Sequence, residues 1–265
     1  MVKGVPFSAK LIAGGLILLA LVYMVVPLFM VAASSVTESQ FMSFPPKGFS
    51  LQWFSEVFHS EKYRESAWTS FKLAGVVVIL SVTIGTMTAL SLSRLRFRGG
   101  EALSGVFLSP LILPAIVFAI GLLMFISLLG FEPSFFGLVI GHLVITLPYV
   151  IRTVSAVLAR SDPFLEEAAR TMGANWLLRY WKVVLPQCRQ GIAAGAFFAF
   201  NISFDDAVIA LFIRSPGIET LPIRIYSELE FSTSPAIAAV STIMIILTVA
   251  LIFIIERILG IQKVV

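Results

Sequence analysis

Residues 161–189 read SDPFLEEAARTMGANWLLRYWKVVLPQCR. Arg160, Asp162, Glu166, Glu167, Arg170, Arg179, Lys182 and Arg189 crowd into or beside this stretch, while the chain on both sides is apolar for long enough to cross a bilayer. The segment is punctuated as two helices. Asp162 is placed to cap a helix whose first position is Pro163, and Gly173 to end it. Asn175 is placed to cap a second helix over 176–184, with Pro186 as its stop. Phe164, Leu165, Ala168, Ala169 and Met172 share a face of the first; Trp176, Leu177, Tyr180, Val183 and Val184 share a face of the second. Two amphipathic helices between spans lie either on lipid headgroups or on another macromolecule.

The rest of the chain sets the class. Of its 265 residues 58% are hydrophobic and 13% charged, with a mean hydropathy of +0.97, whereas soluble domains are roughly 45–50% apolar and about 25% charged. Peptide groups in hydrocarbon must bond internally, leaving helices or closed barrels, and runs of about twenty apolar residues select helices. The expectation is an all-α membrane protein with one transmembrane domain over 1–265. A single cysteine, Cys188, excludes an internal disulfide and speaks against a metal site. The net charge of +4 comes from loops and is no nucleic-acid signature.

Six spans are expected, at about 11–33, 73–92, 103–129, 135–158, 192–213 and 236–255. The first is too long for the apolar core of a signal peptide and reads as retained. Pro110 and Pro114 in the third span and Pro148 in the fourth imply packed or kinked helices. Polar loops occupy 34–66 and 214–235.

Lys and Arg fall unevenly on alternate sides. Lys3, Lys10, Arg94, Arg96, Arg98, Arg160, Arg170, Arg179, Lys182, Arg189, Arg257 and Lys263 lie on one side; Lys47, Lys62, Arg64, Arg214 and Arg224 lie on the other. The positive-inside rule puts both termini and the 161–189 loop in the cytoplasm.

The fifth span carries Asn201, Ser203, Asp205 and Asp206. An aspartate near a helix centre costs about 3 kcal/mol on insertion, so such residues are functional or structurally satisfied. From Ile192 to Asp205 the helix rises about 20 Å, placing the pair beyond the midplane on the outer side. Consecutive residues point about 100° apart, so both cannot face one pore. Either one is placed to line a cavity while the other pairs with a neighbour or caps a break in the helix, or each is satisfied by structural hydrogen bonds. His142 in the fourth span reads as a hydrogen-bonded packing residue, and Arg152 as snorkelling from a helix end.

Absences narrow the mechanism. No Gly-Lys-Ser/Thr phosphate loop, zinc-protease helix or Gly-x-Ser-x-Gly elbow occurs. Any driving energy comes from a partner or an ion gradient.

The spacing Glu167-Ala168-Ala169, three residues, Gly173, nine residues, Val183, one residue, Leu185-Pro186 resembles the EAA loop of inner-membrane permeases of ABC importers, with Val183 where the family usually has Ile. SFPPKGFSLQWF in the first polar loop, RFRG after the second span, and SFDDAVIALFI followed by TLPIRIY resemble the spermidine/putrescine-type permeases. That resemblance implies a coupling helix over 163–172, seated in a groove of a cytoplasmic ATPase. Glu166, Glu167, Ala168, Ala169, Gly173, Leu185 and Pro186 would form the ATPase-coupling element. It also implies a second permease chain, two copies of an ATPase that bind ATP and Mg, and a substrate-binding protein at the outer loops. The chain itself would hold no cofactor and catalyse nothing. Asn201, Ser203, Asp205 and Asp206 are the substrate-pathway candidates, suited to a polyamine or similar small cation. Importers of opines or ferric iron share parts of these motifs. Outside the class, a proton-coupled secondary transporter would use Asp205 as a relay, and a membrane-embedded enzyme would need a nucleophile–base pair that is not visible.

Overall fold

The computed structural model describes residues 7–94, 99–215 and 217–259. Lys3, Arg96, Arg98 and Lys263, counted above for orientation, lie outside the described residues, as does most of the RFRG motif. The described chain is helical, with no strand beyond one isolated bridge between Ser215 and Ile218.

In chain order the helices are α1 (Phe7–Ser34), α2 (Gln52–His59), α3 (Glu61–Arg94), α4 (Gly100–Leu108), α5 (Ala115–Leu128), α6 (Phe135–Leu158), α7 (Pro163–Thr171), α8 (Trp176–Arg179), α9 (Leu185–Asp205), α10 (Val208–Ile213), α11 (Leu221–Phe231) and α12 (Pro235–Leu259). Four stretches are long and apolar enough to cross a membrane: Ala9–Ser34, Glu61–Arg94, Phe135–Leu158 and Pro235–Arg257. They match the expected first, second, fourth and sixth spans, although α3 begins twelve residues earlier than 73 because 61–72 is polar but helix-favouring.

The third expected span is not one helix. α4 runs into a 3₁₀ turn at Ser109–Leu111, and α5 starts again at Ala115 with the two halves bent by 103°. Pro110 and Pro114 explain the break, since neither can donate a backbone bond and each restrains the residue before it. The fifth expected span is also interrupted. α9 ends at Asp205, Asp206 adopts an extended conformation (ψ 120°), and α10 is a separate short helix. Neither alone is long and apolar enough to cross a membrane.

Two compact units divide the chain. One comprises Met1–Arg64 and Ser227–Leu247. In it Thr37 is fully buried and organises the loop after α1: its Oγ1 accepts from Lys47 N (3.1 Å), and its carbonyl accepts from Trp53 Nε1 (2.8 Å). Tyr63 Oη donates to a Glu228 carboxylate oxygen. None of the apolar window of α1 is buried, so its whole circumference suits lipid or another chain.

The other unit comprises Glu65–Tyr226 and Thr248–Val265. Its core has two clusters. Leu73, Val77, Leu138, Ile209 and Ile213 anchor the first; Ala89, Val150, Val154, Cys188 and Ala199 anchor the second. α6 is central, packed closely along α9. Gly191, Gly195, Ala199 and Ser203 recur every four residues, so all lie on one stripe of α9, and all are buried. A Cβ on Gly191 would sit 2.7 Å from the Thr153 carbonyl oxygen, and one on Gly195 2.8 Å from Thr153 Oγ1. Small residues here set how near the two backbones come.

Candidate functional site: an amphipathic loop and a buried polar cluster

The loop at 161–189 folds as its punctuation requires. Asp162 Oδ1 accepts from Phe164 N (2.9 Å) at the start of α7. At the other end Gly173 takes φ +83°, Gly173 N donates to Arg170 O (3.0 Å) and Ala174 N to Ala169 O (3.0 Å). This paired closure needs a left-handed residue, which glycine adopts without Cβ strain. Asn175 Oδ1 then caps α8 by accepting from Leu178 N (2.8 Å).

Pro186 does not stop the second helix as its position predicts. A π-helical turn at Tyr180–Val184 joins α8 to α9, and Pro186 sits in the first turn of α9. The π turn accommodates it: Leu185 N donates back to Tyr180 O, and this wider turn loosens the ladder where Pro186 has no N–H to give. The Gln187 amide nitrogen donates to Val183 O (3.0 Å), satisfying a carbonyl at the junction. The loop is therefore joined to α9 by continuous helix.

Glu166 and Glu167 face differently. Glu166 turns inward and pairs with Arg94 at the end of α3, Nη2 to Oε2 3.1 Å, while Glu167 and Ala168 are exposed. Ala169 is buried, Gly173 and Pro186 are exposed, and Leu185 is half-buried. Arg94, Glu166, Trp176, Arg179 and Tyr180 line an open cleft of about 270 Å³. Burial pushes the Tyr180 phenol above its ordinary value. Phe164 and Met172 are 71% and 81% exposed, so α7 presents apolar surface that its own chain leaves uncovered.

A second site lies where α9 breaks. Asp206 Oδ2 accepts from Ile209 N (2.8 Å) and Ala210 N (3.3 Å), capping α10. His142 is fully buried on α6; its Nδ1 is 3.0 Å from Ser203 Oγ, and its Nε2 is 3.7 Å from Asp206 Oδ2. Thr146 Oγ1 donates to His142 O (2.7 Å) and also meets Ser81 Oγ of α3 at 2.6 Å. Hydrogen bonds thus link α3 through α6 to Ser203 of α9, three residues before Asp206, while His142 Nε2 faces Asp206 without a hydrogen bond. Of the four pathway candidates, Ser203 is bonded to His142, Asp206 caps α10, Asn201 is half-buried, and Asp205 is exposed.

Two features escaped the sequence reading. Arg94 as the partner of Glu166 had no signal beyond its place in a basic run. The four-residue spacing of Gly191, Gly195, Ala199 and Ser203 was visible and marks the α6 contact.

Residues 81–261 match the family described as binding-protein-dependent transport system inner membrane component. The chain is 32% identical over 243 residues to the spermidine/putrescine transport system permease protein PotC of Escherichia coli K12, covering 92% of each. It is 28% identical over 237 residues to that organism's putrescine transport system permease protein PotI, covering 87% of this chain and 84% of PotI. In fold it resembles a bacterial ABC transporter involved in import of the acidic polysaccharide alginate, at 18% identity and a TM-score of 0.68 over 99% of both chains. The inward-facing MetNI methionine ABC transporter gives 20% identity and a TM-score of 0.61, over 76% of this chain and 98% of that one. An all-helical chain with several membrane-capable helices, the EAA spacing on a capped helix and a family match over 81–261 converge: this protein belongs to the inner-membrane permease family of binding-protein-dependent ABC importers.

Proposed function

We propose that this permease imports putrescine, spermidine or a similar small organic cation. The observation that carries the proposal is the split at the α9 break: Asp206 is consumed as a helix cap beside His142, whereas the adjacent Asp205 carboxylate is exposed. A carboxylate presented beside unwound backbone is suited to an ammonium group. The polyamine permeases it resembles along most of its length support the same solute class.

In this reading the whole chain is one transmembrane domain. The bent α4–α5 pair and the α9–α10 pair each complete a crossing, giving six spans with both termini and α7 cytoplasmic. A second permease chain forms the other half of the pathway. Two ABC ATPases bind ATP and Mg, and α7 docks on one of them through Glu167, Ala168 and its exposed apolar face. An extracytoplasmic binding protein delivers solute. ATP-driven closure of the ATPases rocks the permease halves, and the helix continuing from α8 through the π turn carries that motion into α9.

Uptake of labelled putrescine tests the solute assignment. Asp205→Asn lowers uptake at least about tenfold, the loss of one charge-assisted contact, while Asp206→Asn preserves it because asparagine caps equally well. Unchanged uptake in Asp205→Asn rejects the cation site. Co-purification tests docking: Glu167→Arg loses the ATPase that the native protein retains, and retention with normal transport overturns that role.

A further inference from the structure

Helix α3 touches the rest of its unit through polar contacts at three heights. Near one end Ser70 Oγ accepts from Leu221 N of α11 at 2.8 Å. In the middle Ser81 Oγ meets Thr146 Oγ1 at 2.6 Å, and Thr146 bonds the carbonyl of His142 beside the α9 break. At the far end Arg94 pairs with Glu166 of α7 at 3.1 Å. From Ser70 to Arg94 the helix rises about 36 Å. It contains no proline and is one uninterrupted α-helix over this length.

These contacts are unlike the surrounding packing. Apolar side chains can slide past one another, but a guanidinium–carboxylate pair and paired hydroxyls hold a particular register. Arg94 and Glu166 are each about one-third exposed or less (32% and 27%), so the pair is partly shielded from screening. Glu166 leaves Glu167 outward for the partner, so one helix turn presents a carboxylate on each side.

We propose that Arg94 is a positioning residue that clamps α7 to α3, so that displacement of the coupling helix is carried along α3 to the α9 break and to the start of α11. This second route is parallel to the continuous helix from α8 into α9, and it rests on the importer reading. Glu166 serves the route inside the chain and Glu167 serves the ATPase.

The test uses the complete transporter purified with its ATPase and reconstituted in lipid. Amide hydrogen exchange of residues 221–226 is measured with and without ATP and vanadate, a readout that needs no solute. The native complex shows an ATP-dependent change there. Arg94→Gln reduces that change about threefold, as expected for loss of a partly exposed ion pair, while the ATPase still co-purifies. Arg94→Lys preserves it, and the exchanged pair Arg94→Glu with Glu166→Arg restores what Arg94→Glu alone removes. A full ATP-dependent change in Arg94→Gln, no recovery in the exchanged pair, or no change in the native complex each overturns the proposal. A native complex that shows the exchange change but takes up no putrescine rejects only the solute assignment; one that holds no ATPase overturns both.

Discussion

Nε2 of His142 and Oδ2 of Asp206 lie 3.7 Å apart, with the imidazole fully buried and the same oxygen capping α10. The aspartate is therefore held by backbone N–H groups on one side and faces a buried ring on the other. Its role in folding follows from what each substitution removes. Asp206→Ala deletes the cap and costs about 1–2 kcal/mol, whereas Asp206→Asn keeps the acceptor and costs little. Thermal unfolding of the detergent-purified protein separates the two.

The small-residue stripe on α9 makes a steric prediction. Gly191→Leu places a side chain against the Thr153 carbonyl, where backbone rather than a flexible side chain must yield. A loss of about 1–3 kcal/mol is expected, with lowered Tm and reduced membrane yield. Gly14→Leu on α1, where nothing lies within 4 Å, leaves both unchanged.

The π turn predicts a register effect. Inserting one alanine after Lys182 adds a residue beyond the extra one that the π turn already absorbs, and each residue in a helix turns the chain by about 100°. The protein is expected to insert and pack while α7 points away from its partner. ATPase co-purification is lost although Tm is nearly retained.

Glu228 predicts a pH dependence. Burial first, and the neighbouring Glu56 carboxylate second, hold its pKa above the ordinary 4.5, against a smaller opposing effect of Lys62. The folded protein therefore binds this proton more tightly than the unfolded chain. Its contribution is complete below about pH 4.5 and is lost as pH rises through the raised value. Tm measured against pH falls across that window, and Glu228→Gln, which keeps a partner for Tyr63, flattens the slope.

The helix signals legible in the chain were those carried by local chemistry. Asp162, Gly173 and Asn175 cap or end helices where their side chains and φ preferences require, and the span over 135–158 is α6 to the residue. What local pattern could not supply was the outcome of competition between hydropathy and hydrogen bonding. The apolar count made 103–129 and 192–213 continuous, but Pro110 and Pro114 break the first, and Asp206 satisfies α10 at the expense of continuity in the second. The option that one aspartate caps a break was readable from their 100° separation; that it is Asp206 depended on where α9 ends, which places the Ile209 and Ala210 N–H groups within its reach. Arg94 and Glu166 are seventy-two positions apart and became partners only through the fold.

The interrupted α9–α10 pair also constrains how the protein is made. A segment carrying Asn201, Ser203, Asp205 and Asp206 gains too little from lipid to leave the translocon on hydropathy alone. Its glycine stripe, Ser203 and Asp206 all find their partners on α6 or in the break itself, and α6 emerges from the ribosome earlier. On the six-span reading proposed above, biogenesis has an order written into it: α6 is the template on which the later, polar α9–α10 segment is admitted to the bilayer.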